Sequence, residues 1–377
     1  MLLTPSHQAA LRALRVYRCA CGTLPALRHE LPKPDPTPRA RWTRSALPLD
    51  ALGLAAAPSE ARSIDVVVPS AGNRVRASFF SCHVQPIGLP EDSFVSLGNG
   101  LCIPCPELLF LQLADIMTPE VHALLGCELC GTYSRSAKDP RVDEAAYGVP
   151  PVTSVEKITD YLGACGRRRG VTLARQSLRW VRDNAWSPME AIVALMTCLP
   201  TSANGYGIGD VSLNVRHGTT PELVRLGCKG SRVPDIEILG THVGFNYDSH
   251  ARLDLDSIVE AAVNGNPSEA MRSVREKYLD DLRRNRELAA VGRVILPVTP
   301  NDLFAPGGLD AVMLEAALAM EEFDDRSATH LKLCLQLRSM ALRRQRLIWS
   351  LLPWPAGRQY ARELLESVPW EAVLNRA

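Results

Sequence analysis

Val233-Pro-Asp-Ile-Glu-Ile-Leu-Gly-Thr-His-Val-Gly-Phe-Asn-Tyr-Asp-Ser249 is the stretch on which the reading of this chain turns. Side chains alternate between the two faces of a strand. Ile236 and Ile238 therefore face one way, and Asp235 and Glu237 the other. On the return strand, Val243, Phe245 and Tyr247 oppose Gly244, Asn246 and Asp248. A two-residue turn at Gly240-Thr241 pairs Leu239 with His242 and sets Asp235 opposite Asn246. The hairpin is then greasy on one face and gathers carboxylates and an amide on the other. Clustered oxygen ligands of this kind suit a Mg²⁺-dependent site that cleaves phosphodiesters. A half-buried hairpin with its carboxylates in water gives the same pattern, so the flanks have to decide.

Upstream, Ser187-Pro-Met-Glu190 precedes the apolar run Ala191-Ile-Val-Ala-Leu-Met196. Ser187 suits an N-cap, Pro188 the first helical position, and Glu190 completes a capping box. Downstream, Asp281-Leu-Arg-Arg-Asn-Arg-Glu-Leu-Ala-Ala-Val-Gly292 reads as a charged helix with a glycine stop. Arg293-Val-Ile-Leu-Pro-Val-Thr299 follows as a strand.

The order is a helix with an early Glu, an Asp strand, a second acidic strand, an Arg-bearing helix and a strand. It resembles the PD-(D/E)XK nuclease superfamily, and within it the Vsr-like branch related to very-short-patch-repair endonucleases, over residues 185 to 305. Glu190, Asp235, Asp248, Asp281, Arg284, Leu288 and Gly292 match that branch. The resemblance implies a restriction-endonuclease-like mixed sheet flanked by helices. It places Glu190, Asp235, Asn246 and Asp248 at the catalytic positions, with Mg²⁺ on Asp235 and Asp248 and Glu190 supporting the metal or its water. DNA is the implied partner, touched by Arg283, Arg284, Arg286 and His250.

Two positions depart from the pattern. Asn246 stands where the family carries its second acidic ligand. Ser249 stands where a glycine follows the last Asp, and the family's histidine usually falls a few residues later, where Leu253 sits. A neutral amide removes charge that a hard cation requires. Two functions follow. One is a DNA-directed, Mg²⁺-dependent endonuclease-like protein whose site is degenerate at Asn246. The other is a non-catalytic nucleic-acid-binding or antitoxin-like defence protein on the same fold.

At 377 residues the chain is long enough for two domains. The reading divides it into an α+β domain over 1–150 and an α/β nuclease-like domain with C-terminal helices over 151–377. A net charge of +1 supplies no global pull toward nucleic acid. Arg outnumbers Lys by 36 to 6, which reads first as coding bias. No apolar run reaches the roughly 18 residues that a membrane span needs, and Met-Leu-Leu-Thr-Pro-Ser-His-Gln8 lacks the pattern of a signal peptide. The expectation is a soluble cytoplasmic protein with reduced cysteines. Oligomeric state stays open.

Cys102-Ile-Pro-Cys105 and Cys127-Glu-Leu-Cys130 have the spacing of a four-thiolate zinc site. The segment between them, Pro106-Glu-Leu-Leu-Phe-Leu-Gln-Leu-Ala-Asp115, reads instead as an amphipathic helix, so core packing is preferred for all four. Ser6 to Arg15 reads as a capped helix start, Pro32 to Pro38 as a loop, and Ile64–Pro69, Arg76–His83 and Ser93–Leu97 as strands. Short strands leading into the Pro106-Glu107 helix start resemble the C-terminal part of AbiEi-type abortive-infection antitoxins, over residues 45 to 130. That resemblance implies a toxin or defence-system partner. A polar, turn-rich hinge lies at 133–152, and Ser154 and Thr172 open helices. Gly205-Tyr-Gly-Ile-Gly209 is a loop, since no Lys-Ser/Thr follows it. Helices are expected over Gly308–Glu322, Thr329–Leu352 and Arg358–Val373, with Arg338, Arg343, Arg344 and Arg346 as solvating surface charges.

Overall fold

The structure, a computed structural model, describes residues 2–32, 43–86, 88–138, 145–248 and 267–352. The architecture is mixed α/β, in two compact units that part between Ala191 and Ile192. His250, the Arg358–Val373 helix and most of the Pro32–Pro38 loop lie outside the described residues.

The first unit opens on α1 (His7–Cys21), whose small apolar face of Ala9, Ala10, Leu11, Ala13 and Leu14 is buried. Next come β1 (Arg28–His29), β2 (Ile64–Val68), β3 (Phe80–Val84), β4 (Phe94–Gly98) and β5 (Leu101–Pro104). β2 and β3 pair in parallel. β1, β4 and β5 form a separate antiparallel sheet. The sequence reading expected no strand over β5, because Leu101-Cys-Ile-Pro104 is buried throughout and shows no alternation.

Then follow α2 (Pro106–Leu113), α3 (Pro119–Cys130), a hairpin of β6 (Tyr133–Arg135) and β7 (Ala145–Tyr147), α4 (Val155–Ala164) and α5 (Val171–Leu178). Proline opens α2 and α3, where its missing N–H costs nothing. Ser154 caps α4 by accepting from Lys157 N. α4 packs on α2, and α5 on α3. The compact unit runs to Ala191. At its heart Arg15 grips Glu128 through two bonds of 2.8 and 2.6 Å. Arg18, 1 % exposed, donates to the carbonyls of Glu128, Gly131 and Pro150. These charge-assisted bonds tie α1 to α3 and to the chain beyond it.

α6 (Pro188–Cys198) carries the chain into the second unit. There β8 (Val211–Leu213) leads to a ribbon of β9 (His217–Gly218) and β10 (Ser231–Arg232) around α7 (Pro221–Arg225). The hairpin β11 (Ile236–Ile238) and β12 (Val243–Tyr247) is followed by α8 (Pro267–Ala290), β13 (Val294–Val298), α9 (Pro300–Phe304), α10 (Gly308–Phe323), α11 (Thr329–Gln336) and α12 (Arg338–Leu351). The main sheet has the order β13-β12-β11-β8. β8, β11 and β12 are antiparallel neighbours, and β13 joins β12 in parallel.

Ile236 faces Phe245 in the hairpin, which fixes the expected register and puts Asp235 opposite Asn246. Ile236, Ile238, Val243 and Phe245 are all at most 1 % exposed, and α10 packs against β12 and β13. Gly244 is required by contact. A Cβ there would stand 2.3 Å from the Ile236 carbonyl oxygen.

Two helix expectations change. The long Thr329–Leu352 helix breaks at Leu337, whose extended ψ of 100° ends α11 and starts α12. Arg344 does not solvate the surface. It is fully buried, pairs with Asp310 at 2.7 and 3.0 Å, and lies 4.8 Å over the Tyr206 ring.

Candidate functional site

The polar face of the β11–β12 hairpin is buried under α8. Asn246 is 1 % exposed. Its Oδ1 accepts from the backbone N–H of Asp235 at 3.1 Å, and its Nδ2 donates to Oδ1 of Asn285 on α8 at 3.4 Å. The Asp235 carboxylate accepts from Tyr247 N at 2.7 Å through Oδ2. Asp235 and Asn246 thus stitch the open end of the hairpin, side chain to backbone, in both directions.

Asp248 follows β12 and stands 3.6 Å from Nη2 of Arg284, which also lies 3.5 Å from Asp281 on the same helix. Among the described residues, the Nε of Arg284 is buried without a hydrogen-bond partner. The arginine is therefore held near two acids and incompletely satisfied by them, a costly arrangement for a buried donor.

Glu190 belongs to the first unit. Its backbone N–H donates to Ser187 Oγ at 3.1 Å, and its Oε2 accepts from Trp186 N and Ser187 N at 2.8 and 3.2 Å. The expected capping box has formed, and the carboxylate serves it.

These oxygens do not fit Mg²⁺ as they stand. The ion requires near-octahedral oxygen coordination and negative charge. Here the central place is a neutral amide whose oxygen faces a backbone N–H, and Asp235 Oδ2 is bound to another. Among the described residues, no three His, Cys, Asp or Glu side chains group closely enough to hold a metal ion.

Arg283 and Arg286 stand elsewhere on α8, both exposed. With Leu223, Leu226, Lys229 and Arg232 they line a cleft of about 420 Å³ between α7 and α8. Arg232 at its base is neutralised by Glu287 at 2.5 and 3.1 Å and by Asp280 at 3.0 Å. Lys229 shares Asp280 at 2.9 Å.

Glu237, on the same polar face, is a further member of the site. Glu237 is 5 % exposed, 2.7 Å from His217 Nε2 on β9 and 3.7 Å from Arg293 Nε. Alternation along β11 places Glu237 correctly. Its partners come from an inserted ribbon and from the chain before β13, which no local pattern pairs with it.

The four CxxC cysteines are core residues. Cys102 lies in β5, Cys105 precedes α2, and Cys127 and Cys130 lie in α3, all at most 3 % exposed. Burial pushes the Cys102 thiol up to about 12 and raises those of Cys105 and Cys130. Cys127 Sγ accepts from Arg182 N at 3.5 Å.

Comparisons of the chain with protein families, with curated proteins and with solved structures find no match.

Proposed function

We propose that residues 188–298 form a PD-(D/E)XK-type core that has given up the metal site of a nuclease and acts as a nucleic-acid-binding module without cleavage. The element order supports this reading: α6, then three antiparallel strands, then α8, then a strand parallel to the third. The observation that carries the loss of cleavage is the double engagement of Asn246, with Asp235 N on one side and Asn285 on the other. An acid in its place would accept from Asp235 N but would set a second carboxylate beside that of Asp235 and would need the Asn285 amide to turn and donate. The amide is therefore matched to its surroundings. Exposed Arg283 and Arg286 supply cations for phosphate contacts. An antitoxin-like or defence role, with a toxin as partner, is compatible with such a module and rests on the weaker resemblance of residues 45 to 130.

The second reading is an active Mg²⁺ nuclease. It is favoured by Asp235, Asp248 and Arg284 occupying one layer. The test is plasmid nicking and duplex binding by the full chain, with Mg²⁺ or with EDTA. Salt-sensitive binding without nicking is expected. Nicking that EDTA and Asp235→Ala both abolish would establish the nuclease instead. If Asn246→Glu creates nicking, the defect is that single residue.

A further inference from the structure

The first unit contains a cavity of about 530 Å³, within the usual size of small-molecule sites. Its walls come from the start of α1, from β2 and β3, from α2 and the turn after it, and from the loop before α5. Val67, Val84, Leu108, Leu111 and Ile116 supply an apolar lining. On one side stand two histidines, His7 and His83, with ring centroids 4.2 Å apart.

Each imidazole is fixed by one nitrogen. His83 Nε2 lies 2.9 Å from Asp65 Oδ1, so the carboxylate holds the proton on that nitrogen. His7 Nδ1 lies 3.0 Å from the hydroxyl of Ser6, which is fully buried. Ser6 was expected to cap α1, but its side chain makes no cap bond and is spent on His7. Among the described residues, Nδ1 of His83 and Nε2 of His7 have no partner and are left for a ligand.

The backbone of His7 is also unusual. Its φ of +48° is a left-handed conformation that a non-glycine residue adopts at a cost. Its N–H is held by Gln112 Oε1 at 3.2 Å. A strained histidine, locked at backbone and ring beside a second oriented histidine, is more than packing needs.

The charges decide the ligand class. Bases lining the cavity are His7, His83, Arg168 and Arg169, against the acids Asp65 and Asp115. Each acid already has a base: Asp65 has His83, and Asp115 has Arg169 at 2.9 Å. Arg168 donates to the Gly88 carbonyl, and Arg12 on α1 also feels Asp65. Burial and then His83 hold His7 below its ordinary pKa, against the pull of Asp65 and Asp115. An arriving anion would favour the charged imidazole and draw a proton in.

We propose that this cavity binds a small molecule with an anionic head, carboxylate or phosphate, on an apolar body, the head lying against the His7–His83 pair. Binding of hexanoate, hexyl phosphate, hexanol and inorganic phosphate to the full chain tests it, by calorimetry in buffers of different ionisation enthalpy and by the imidazole C–H resonances. At least one of the first two should bind tenfold or more tighter than hexanol and inorganic phosphate, with proton uptake near neutral pH. Which of the two binds better identifies the head group. His7→Asn and His83→Asn should each weaken binding about tenfold, and Ile116→Trp at the exposed rim should weaken it without touching either ring. Equal binding of hexanol, no binding of any probe, or unchanged affinity in folded histidine variants would overturn the proposal. If the histidine variants fail to fold, unmoved imidazole resonances with hexanoate would overturn it equally.

Discussion

Each unit buries a polar layer, and the two differ in what occupies the centre. Glu128 in the first unit is paired with the Arg15 guanidinium at 2.8 and 2.6 Å and also accepts from the backbone N–H of Arg135 at 3.0 Å. The hairpin layer of the second unit centres on a neutral amide and uses backbone N–H groups and Asn285. Full charges closed by full charges make a rigid tie between helices, costly to break because one partner is left stranded. An amide at the centre needs no counter-ion, and for the same reason it offers little to a divalent cation; the charges of that face, Asp248 and Glu237, are paired at its edges. Buried polarity in a mixed sheet is therefore not evidence of a metal site until its lone pairs have been followed to their partners.

The comparison predicts its largest effect at Arg15. Arg15→Ala leaves Glu128 buried and uncompensated, and should cost about 3–5 kcal/mol in chemical denaturation. Burial works to raise the Glu128 pKa, but Arg15, Arg18 and Arg135 outweigh it and hold it below the ordinary 4.5. The sign follows from that direction. The folded state binds the Glu128 proton less readily, so this stabilisation is present above the ordinary glutamate value and is lost as pH falls through the folded one. Glu128→Gln should remove that acid limb. A variant that kept its full pH dependence would show that the pair is not what fixes it.

A second effect of similar size lies at higher pH. His122 is 1 % exposed, 2.5 Å from Ser177 Oγ through Nδ1 and 2.7 Å from the Phe110 carbonyl through Nε2. Burial lowers its pKa to about 4, against the Phe110 carbonyl bond, which raises it. A histidine with a depressed folded pKa destabilises the fold as pH drops, because the unfolded chain takes the proton first. Stability should therefore fall by about 3 kcal/mol between pH 6.5 and 4. That window lies above the one in which Glu128 protonates. Most of the loss should vanish in His122→Gln, and a loss confined to pH below 4 would contradict the assignment.

How much was legible follows the range of each interaction. The hairpin register, the capping box at Ser187–Glu190, the α8 stop at Gly292 and the strand β13 all rest on neighbours in sequence, and local pattern suffices for them. That Asn246 is a neutral amide set among carboxylates was legible too. What it does was not, because its partner Asn285 lies 39 residues away across α8. Arg344 was assigned to the surface for the same reason. Its counter-charge Asp310 sits on another helix, and only packing shows that the arginine points inward. The histidine cavity left no motif, since Ser6, Asp65, His83 and Gln112 meet only in the folded unit.

A smaller effect belongs to the amide itself. Asn246→Asp keeps an acceptor for Asp235 N, removes the donor to Asn285 and sets a second acid beside Asp235. The lost bond and the repulsion together should cost about 1–3 kcal/mol at neutral pH. Melting temperature with and without Mg²⁺ sharpens the contrast between the two layers. A variant whose lost stability Mg²⁺ restores has gained a cation site, and the amide is then what keeps the ion out of the parent layer. If Mg²⁺ leaves it unchanged, the rest of the layer is also committed to its protein partners.

The smallest effect on the fold, and the most direct test of the binding reading, concerns Arg283 and Arg286. Both are exposed on α8 and line the cleft beside α7. The buried ion pairs of that cleft run through Arg232 instead. Replacing both with alanine should therefore leave stability within about 0.5 kcal/mol of the parent. If they contact phosphate, each releases bound counterions from the duplex. The slope of log K against log salt should then flatten by about 0.9 for each contact removed. The loss should be uniform across sequences, because phosphate contacts position the protein and do not read bases. Duplex binding titrated at several salt concentrations measures both quantities at once. An unchanged slope with unchanged affinity would remove α8 from the interface. A loss confined to particular sequences would place these arginines at base edges, a stronger role than the one assigned to them.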